Sequence, residues 1–234
     1  LQRLLGLAAE HRVPLMLAAI PAALQPSLVN ALATAPPWVF LCQHGYAHQN
    51  HAPPEAKKRE LCARPFDGSD VSAAAQDLVM GDDALTAAFE GADTLRRLPV
   101  LVPPWNRIDS QLVRRLPQLG FKGLSTFGPN PAPRDDGFIE INCHLDIFQW
   151  KPERRFLGEE DLLRRFTEDL RQRRSTDPAT EGAYGLLTHH LVQDESCWLF
   201  LERFFTLLSQ HSALRLPLPS DLFATSRPNS AVTA

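Results

Sequence analysis

The sequence predicts an α/β fold in which parallel strands, joined by crossover helices, curl into a complete or incomplete barrel. Three observations support this. Continuous apolar runs such as residues 13–20 and 38–42 suit strands buried on both faces. These runs alternate with stretches whose apolar residues recur every three or four positions, as in amphipathic helices. About seven such strands in one chain of 234 residues favour a barrel over a small open sheet.

In chain order, residues 1–11 read as a helix on Leu1, Leu4, Leu5, Ala8 and Ala9. The run 13–20 is a buried strand stopped by Pro21, residues 25–34 a short helix, and residues 38–42 a second buried strand. Residues 43–68 are polar, proline-bearing and aperiodic, a long loop of the kind that carries function. Ser69 or Asp70 caps a helix reaching Leu95, with apolar positions 71, 74, 78, 85, 88, 92 and 95 inward. A strand at 99–102 follows, then a helix opened by Asp109 or Ser110 and bent near Pro117. Residues 122–126, 138–141, 144–150 and 184–188 read as strands. The helix 159–174 puts its acids first and its arginines last, matching the helix dipole. The helix 194–210 turns Trp198, Leu201, Phe204, Phe205 and Leu208 inward. One domain is expected over 1–216, with 217–234 a C-terminal tail, partly disordered.

Composition excludes several classes of function. A net charge of −3 offers nothing to nucleic acid or an anionic membrane. No apolar run reaches the roughly 20 residues needed to cross a bilayer. The N-terminus lacks signal-peptide features, so a cytoplasmic location is the expectation. The first residue is Leu1 rather than Met, which reads as a chain whose start lies upstream. Cys42, Cys62, Cys143 and Cys197 are scattered and read as buried free thiols.

Four segments carry chemistry, each at or beside the end of an expected strand, where α/β barrels place catalytic loops. The first, residues 43–51, holds His44, His48 and His51 within eight positions, with Gly45 and Tyr46 between the first two. Imidazoles four residues apart can converge on a borderline metal such as zinc, and Gly45 permits the turn. On residue types alone, a polar loop that happens to be rich in histidine serves equally well. The second ends in Leu187-Thr188-His189-His190, where a histidine is either a general acid or base or a structural group bonded to backbone. The third, Pro103-Pro104-Trp105-Asn106-Arg107, offers a flat apolar wall and a planar cation, or simple loop packing. In the fourth, alternation puts His144, Asp146 and Phe148 on one face, with Trp150 following.

Together these segments resemble the NodB-homology polysaccharide deacetylases, carbohydrate esterase family four, over residues 1 to about 210. His44-Gly-Tyr-Ala-His48 resembles the family's histidine pair, and 103–107 its proline-aromatic groove motif. Asp146 and Trp150 fall where its aspartate-tryptophan motif falls, and Leu187-Thr188-His189 matches its Leu-x-His motif. The likeness is nearest to a divergent branch bearing His-Gly-x-x-His-x-Asn-His and Pro-Pro-Trp-Asn. It implies a distorted (β/α) barrel and one divalent metal, usually zinc, with His44 and His48 as ligands. His189 would be the general acid, Trp105, Trp150, Leu187 and Tyr46 would line the substrate pocket, and Arg107 or Asp146 would tune the charged partners. The implied substrate is an N-acetylated carbohydrate.

The family's aspartate pair, which provides the base and third ligand, lies on the strand before the first helix. This chain starts inside that helix and its first aspartate is Asp67, so the resemblance places the pair ahead of Leu1. The family's arginine before the prolines is also replaced, by Leu101. Three readings therefore stand: a metal-dependent deacetylase, a glycan-binding relative with a degenerate site, and a metal-sensing or storage protein.

Overall fold

In the computed structural model, residues 1–64, 70–91, 96–175 and 182–224 are described. Helix α1 (Gln2–His11) buries Leu4, Leu5, Leu7 and Ala8, and ends at Arg12 in the left-handed region. Strand β1 (Leu15–Ala19), helix α2 (Pro26–Ala33) and strand β2 (Val39–Gln43) follow. Helix α3 (Val71–Ala88) is capped by Asp70, whose side chain accepts the Ser72 N–H. It was expected to reach Leu95, but residues 92–95 lie outside the described residues. Strand β3 (Arg96–Leu101) leads to helix α4 (Ser110–Arg115), capped by Asp109. Pro117 then tightens the chain into a 3₁₀ turn stopped by Gly120.

Strands β4 (Gly123–Leu124) and β5 (Ile139–Glu140) are shorter than the sequence suggests. The expected strand 144–150 divides at Ile147 into β6 (Cys143–Asp146) and β7 (Phe148–Gln149), and β7 turns away to pair with β8 (Arg155–Phe156). Helix α5 (Glu159–Arg174), strand β9 (Gly185–Leu187), helix α6 (Glu195–Gln210) and the short α7 (Pro219–Leu222) complete the chain.

The strands β1-β2-β3-β4-β5 form one parallel sheet in that order. A second parallel ladder joins β6 to β9, and a bridge from Phe127 to Cys143 ties the two sheets together. Among the described residues no ladder joins β9 back to β1, so the barrel is not closed by hydrogen bonds. Packing spans that gap instead. Leu15 and Leu17 of β1 lie against the core of Leu145, Ile147, Trp198, Leu201, Phe204 and Phe205, which α1 and α6 cover.

Alternation along the strands separates two interiors. Leu41 and Leu101 pack under helices, whereas Cys42 and Val100 face a smaller cluster with Met16, Ile139 and Phe223. Part of the segment expected as a tail thus belongs to the core. Phe223 is buried, and a side chain at Gly123 would stand 2.4 Å from its ring. Residues 225–234 lie outside the described residues. All four cysteines are free, as the sequence suggests. No described helix is long and apolar enough to cross a membrane.

Candidate active site

Where β2 ends, the ladder continues one residue further. His44 N–H donates to the Ala19 carbonyl at 2.8 Å, and Val102 N–H to the Gln43 carbonyl at 2.8 Å. The Gln43 side chain is buried and donates at 3.0 Å to the carbonyls of Gly45 and Leu78. A Cβ at Gly81 would stand 2.3 Å from that amide, which accounts for a glycine in the middle of α3.

The His44 Nδ1 lies 2.7 Å from the Val102 carbonyl. A carbonyl only accepts, so Nδ1 carries the proton and Nε2 presents a lone pair. Burial lowers the pKa of this ring to about 4, leaving it neutral near pH 7. The chain then turns through Gly45 (φ 59°), where a Cβ would stand 1.9 Å from a Glu60 oxygen. Glu60 accepts the N–H groups of Tyr46, Ala47 and Gln49 at 3.2, 2.7 and 3.3 Å. This brings the His48 ring to 5.1 Å from that of His44 and 4.4 Å from Trp105.

The loop after β3 supplies that tryptophan. Four non-glycine residues among those described have left-handed backbone: Arg12, His48, Trp105 and Asn106. Three of them meet here, and such conformations, at about 1–3 kcal/mol each, persist only where the surroundings hold them. Arg107 donates to the Lys58 carbonyl at 3.1 Å, and Lys58 Nζ lies 5.9 Å from the Trp105 ring centre.

The opposite wall comes from β6, β7 and the residues after β9, with Asp146 in register with Leu187. His189 Nε2 lies 3.1 and 3.2 Å from the two Asp146 oxygens. The same carboxylate accepts the Trp150 indole N–H at 2.8 Å and the Phe148 N–H at 2.9 Å. Trp150 meets the His189 ring edge-on at 4.7 Å, so ring and carboxylate hold the imidazole between them. Asp146, Phe148 and Trp150 line a cleft of about 490 Å³ together with Phe127, Arg165 and Asp169. The charge of His189, like that of His48, is felt at His44, which places both halves in one neighbourhood.

The structure thus brings together His44, His48 and Trp105 on one side, and Asp146, Trp150 and His189 on the other. Tyr46 contributes its backbone to the Glu60 network, and Leu187 backs Asp146. Arg107 is turned to the Lys58 carbonyl and, among the described residues, bonds to neither Asp146 nor His189. His51 pairs through its backbone N–H with Arg59. Sequence reasoning missed Glu60 and the cleft residues Phe127, Arg165 and Asp169. A lone acid in an aperiodic loop carries no periodic signal, and only folding brings helix α5 to the cleft.

His44 and His48 suit a borderline divalent ion in kind, as nitrogen donors, and the second nitrogen of His44 is fixed by a carbonyl in the manner of metal-bound imidazoles. In number they are two, where a catalytic zinc takes three protein ligands. Among the described residues no group of three His, Cys, Asp or Glu side chains converges.

No family model matches the sequence, and no curated protein matches it either. Solved structures do. One from Mycobacterium smegmatis, described as a polysaccharide deacetylase, has a TM-score of 0.66 at 18% identity, covering 94% of this chain and 74% of that one. One from Pseudomonas aeruginosa PAO1, described likewise, has a TM-score of 0.64 at 17% identity, covering 94% and 70%. The Puue allantoinase has a TM-score of 0.61 at 16% identity, also covering 94% and 70%. Likeness at these identities speaks for the fold, and the chain has the NodB-type α/β fold of the polysaccharide deacetylases.

Proposed function

We propose that this chain is a deacetylase-type amide hydrolase domain that removes the acetyl group from an N-acetylated carbohydrate. One observation carries the reading: an Asp146–His189 pair stands at the same strand ends as the His44–His48 pair, within a deacetylase fold. Hydrolysis needs water added to the carbonyl carbon and a proton delivered to nitrogen as the C–N bond breaks, releasing acetate and an amine. As an imidazolium, His189 keeps its Nε2–H on Asp146 and offers Nδ1–H to the departing nitrogen. Asp146 holds that ring in orientation and balances its charge. Trp105 and Trp150 wall the acetyl group, with Leu187 and Tyr46 behind them.

His44 and His48 are the residues that would hold a divalent metal, zinc by preference. Such an ion, when bound, supplies a Lewis acid for the carbonyl and a water of lowered pKa. With two donors, zinc uptake by this chain is expected to be weak or substoichiometric.

The same count of donors favours one alternative, a relative that binds glycan in this cleft without turning it over. Acetate release from N-acetylglucosamine oligomers, assayed with added zinc, separates the two. Release that depends on His189 supports the hydrolase. Oligomer binding with no release in any metal condition supports the binder.

A further inference from the structure

Glu60 is 1% exposed, sits in a loop with no regular structure and has no part in the chemistry above. Its carboxylate collects three backbone N–H groups of the histidine loop. Among the described residues no Lys, Arg or His side chain pairs with it. Amides satisfy its hydrogen bonds but leave its net charge in place, in surroundings where charge is poorly screened. That charge is felt at His44. The glycine at 45 is required by the same carboxylate, because any Cβ there would collide with it.

We propose that Glu60 is the positioning residue of the histidine pair: it fixes the 45–49 turn that aims His48 at His44, and its buried negative charge would favour a cation held by that pair. The second part rests on reading His44 and His48 as metal ligands. A glutamine at 60 would keep the shape but turn an amide donor toward amide donors and remove the charge. An aspartate would keep the charge and shorten the reach.

The test combines amide exchange with zinc affinity measured by competition against a chromophoric chelator. In the wild type, the amides of Tyr46, Ala47 and Gln49 should exchange far more slowly than those of exposed Glu55 and Lys57. Glu60→Gln should lose that protection at all three while core amides such as Leu41 keep theirs, and zinc affinity should fall roughly 10- to 100-fold. Glu60→Asp should fall between the two. Unprotected amides in the wild type, or protection unchanged in Glu60→Gln, overturn the positioning role. Unchanged zinc affinity in Glu60→Gln overturns the electrostatic one. If Glu60→Gln does not fold, the wild-type exchange pattern and Glu60→Asp decide. A wild-type chain that takes up no zinc sinks the reading of the pair as ligands, and exchange alone then decides whether Glu60 positions the loop.

Discussion

His44 and His48 are held by backbone, whereas Asp146 and His189 hold one another. On the first side a carbonyl pins Nδ1 of His44, three amides converge on a buried carboxylate, and His48 sits in a left-handed conformation that its neighbours must maintain. On the second side the His189 ring is held by the side chains of Asp146 and Trp150, and the pair is partly open to solvent, 14% for Asp146 and 25% for His189. The difference matches the work proposed for each. Ligands of an ion gain from rigid placement, since their rings need not move during turnover. A proton carrier needs a partner that holds it in either charge state, and a side-chain pair beside a cleft provides one.

The contrast breaks most sharply at His189. His189→Ala should lower acetate release by about 10²–10⁴-fold, with zinc uptake unchanged. Loss of zinc in that variant would make His189 a ligand and merge the two halves into one.

Gly45→Ala tests whether the backbone of the first half is over-determined. A methyl 1.9 Å from Glu60 and 2.7 Å from Pro104, at positive φ, has nowhere to go. The expected cost is about 3 kcal/mol, read as a shift of the urea midpoint, and an unshifted midpoint would show that the loop adapts freely.

Asp146→Asn is smaller still: it keeps the size but removes the negative partner of His189 and turns an amide donor toward the N–H of either Phe148 or Trp150. Activity should fall on the order of 10- to 100-fold, with a stability loss in urea of only about 1 kcal/mol. An equal loss of folding would mean that Asp146 is structural first.

The smallest expected effect serves as a control. Asp194 caps α6 by accepting the Cys197 N–H at 3.0 Å, which holds its carboxyl below the usual carboxylate range. A carboxyl depressed by folding contributes stability above its unfolded pKa and loses it as pH falls through the folded value. Asp194→Ala should therefore cost about 1 kcal/mol at neutral pH and nothing at strongly acidic pH, by thermal melts across pH. Acetate release should not change.

Much of this molecule was legible in its sequence. Helices α1 and α6 follow from apolar spacing, α5 from the order of its charges, and the starts of α3 and α6 from capping residues, because those signals are local: Asp70 and Asp194 meet N–H groups two or three residues away. The apolar runs that became β1 and β2 were equally plain. His44, His48, Asp146 and His189 were visible as chemistry-bearing types at strand ends, and the resemblance to a known family ordered them. Which residues accompany them was not legible. Arg107, expected beside the charged partners, is committed to the Lys58 carbonyl. Glu60 looked like one more polar residue of a long loop. Phe223, counted as tail, fills the interior beneath Gly123.

The sequence by itself thus determined the elements, the fold class and the residue types available for the proposed hydrolysis, because helix and strand periodicity and capping act over a few residues. Tertiary structure alone decided that Asp146 meets His189 across 43 positions, that Glu60 gathers the histidine loop, and that Asn106 reaches the cleft lined by Asp146 and Trp150. Those contacts depend on how strands register and loops cross, which is set by the packing of the whole core rather than by any local pattern.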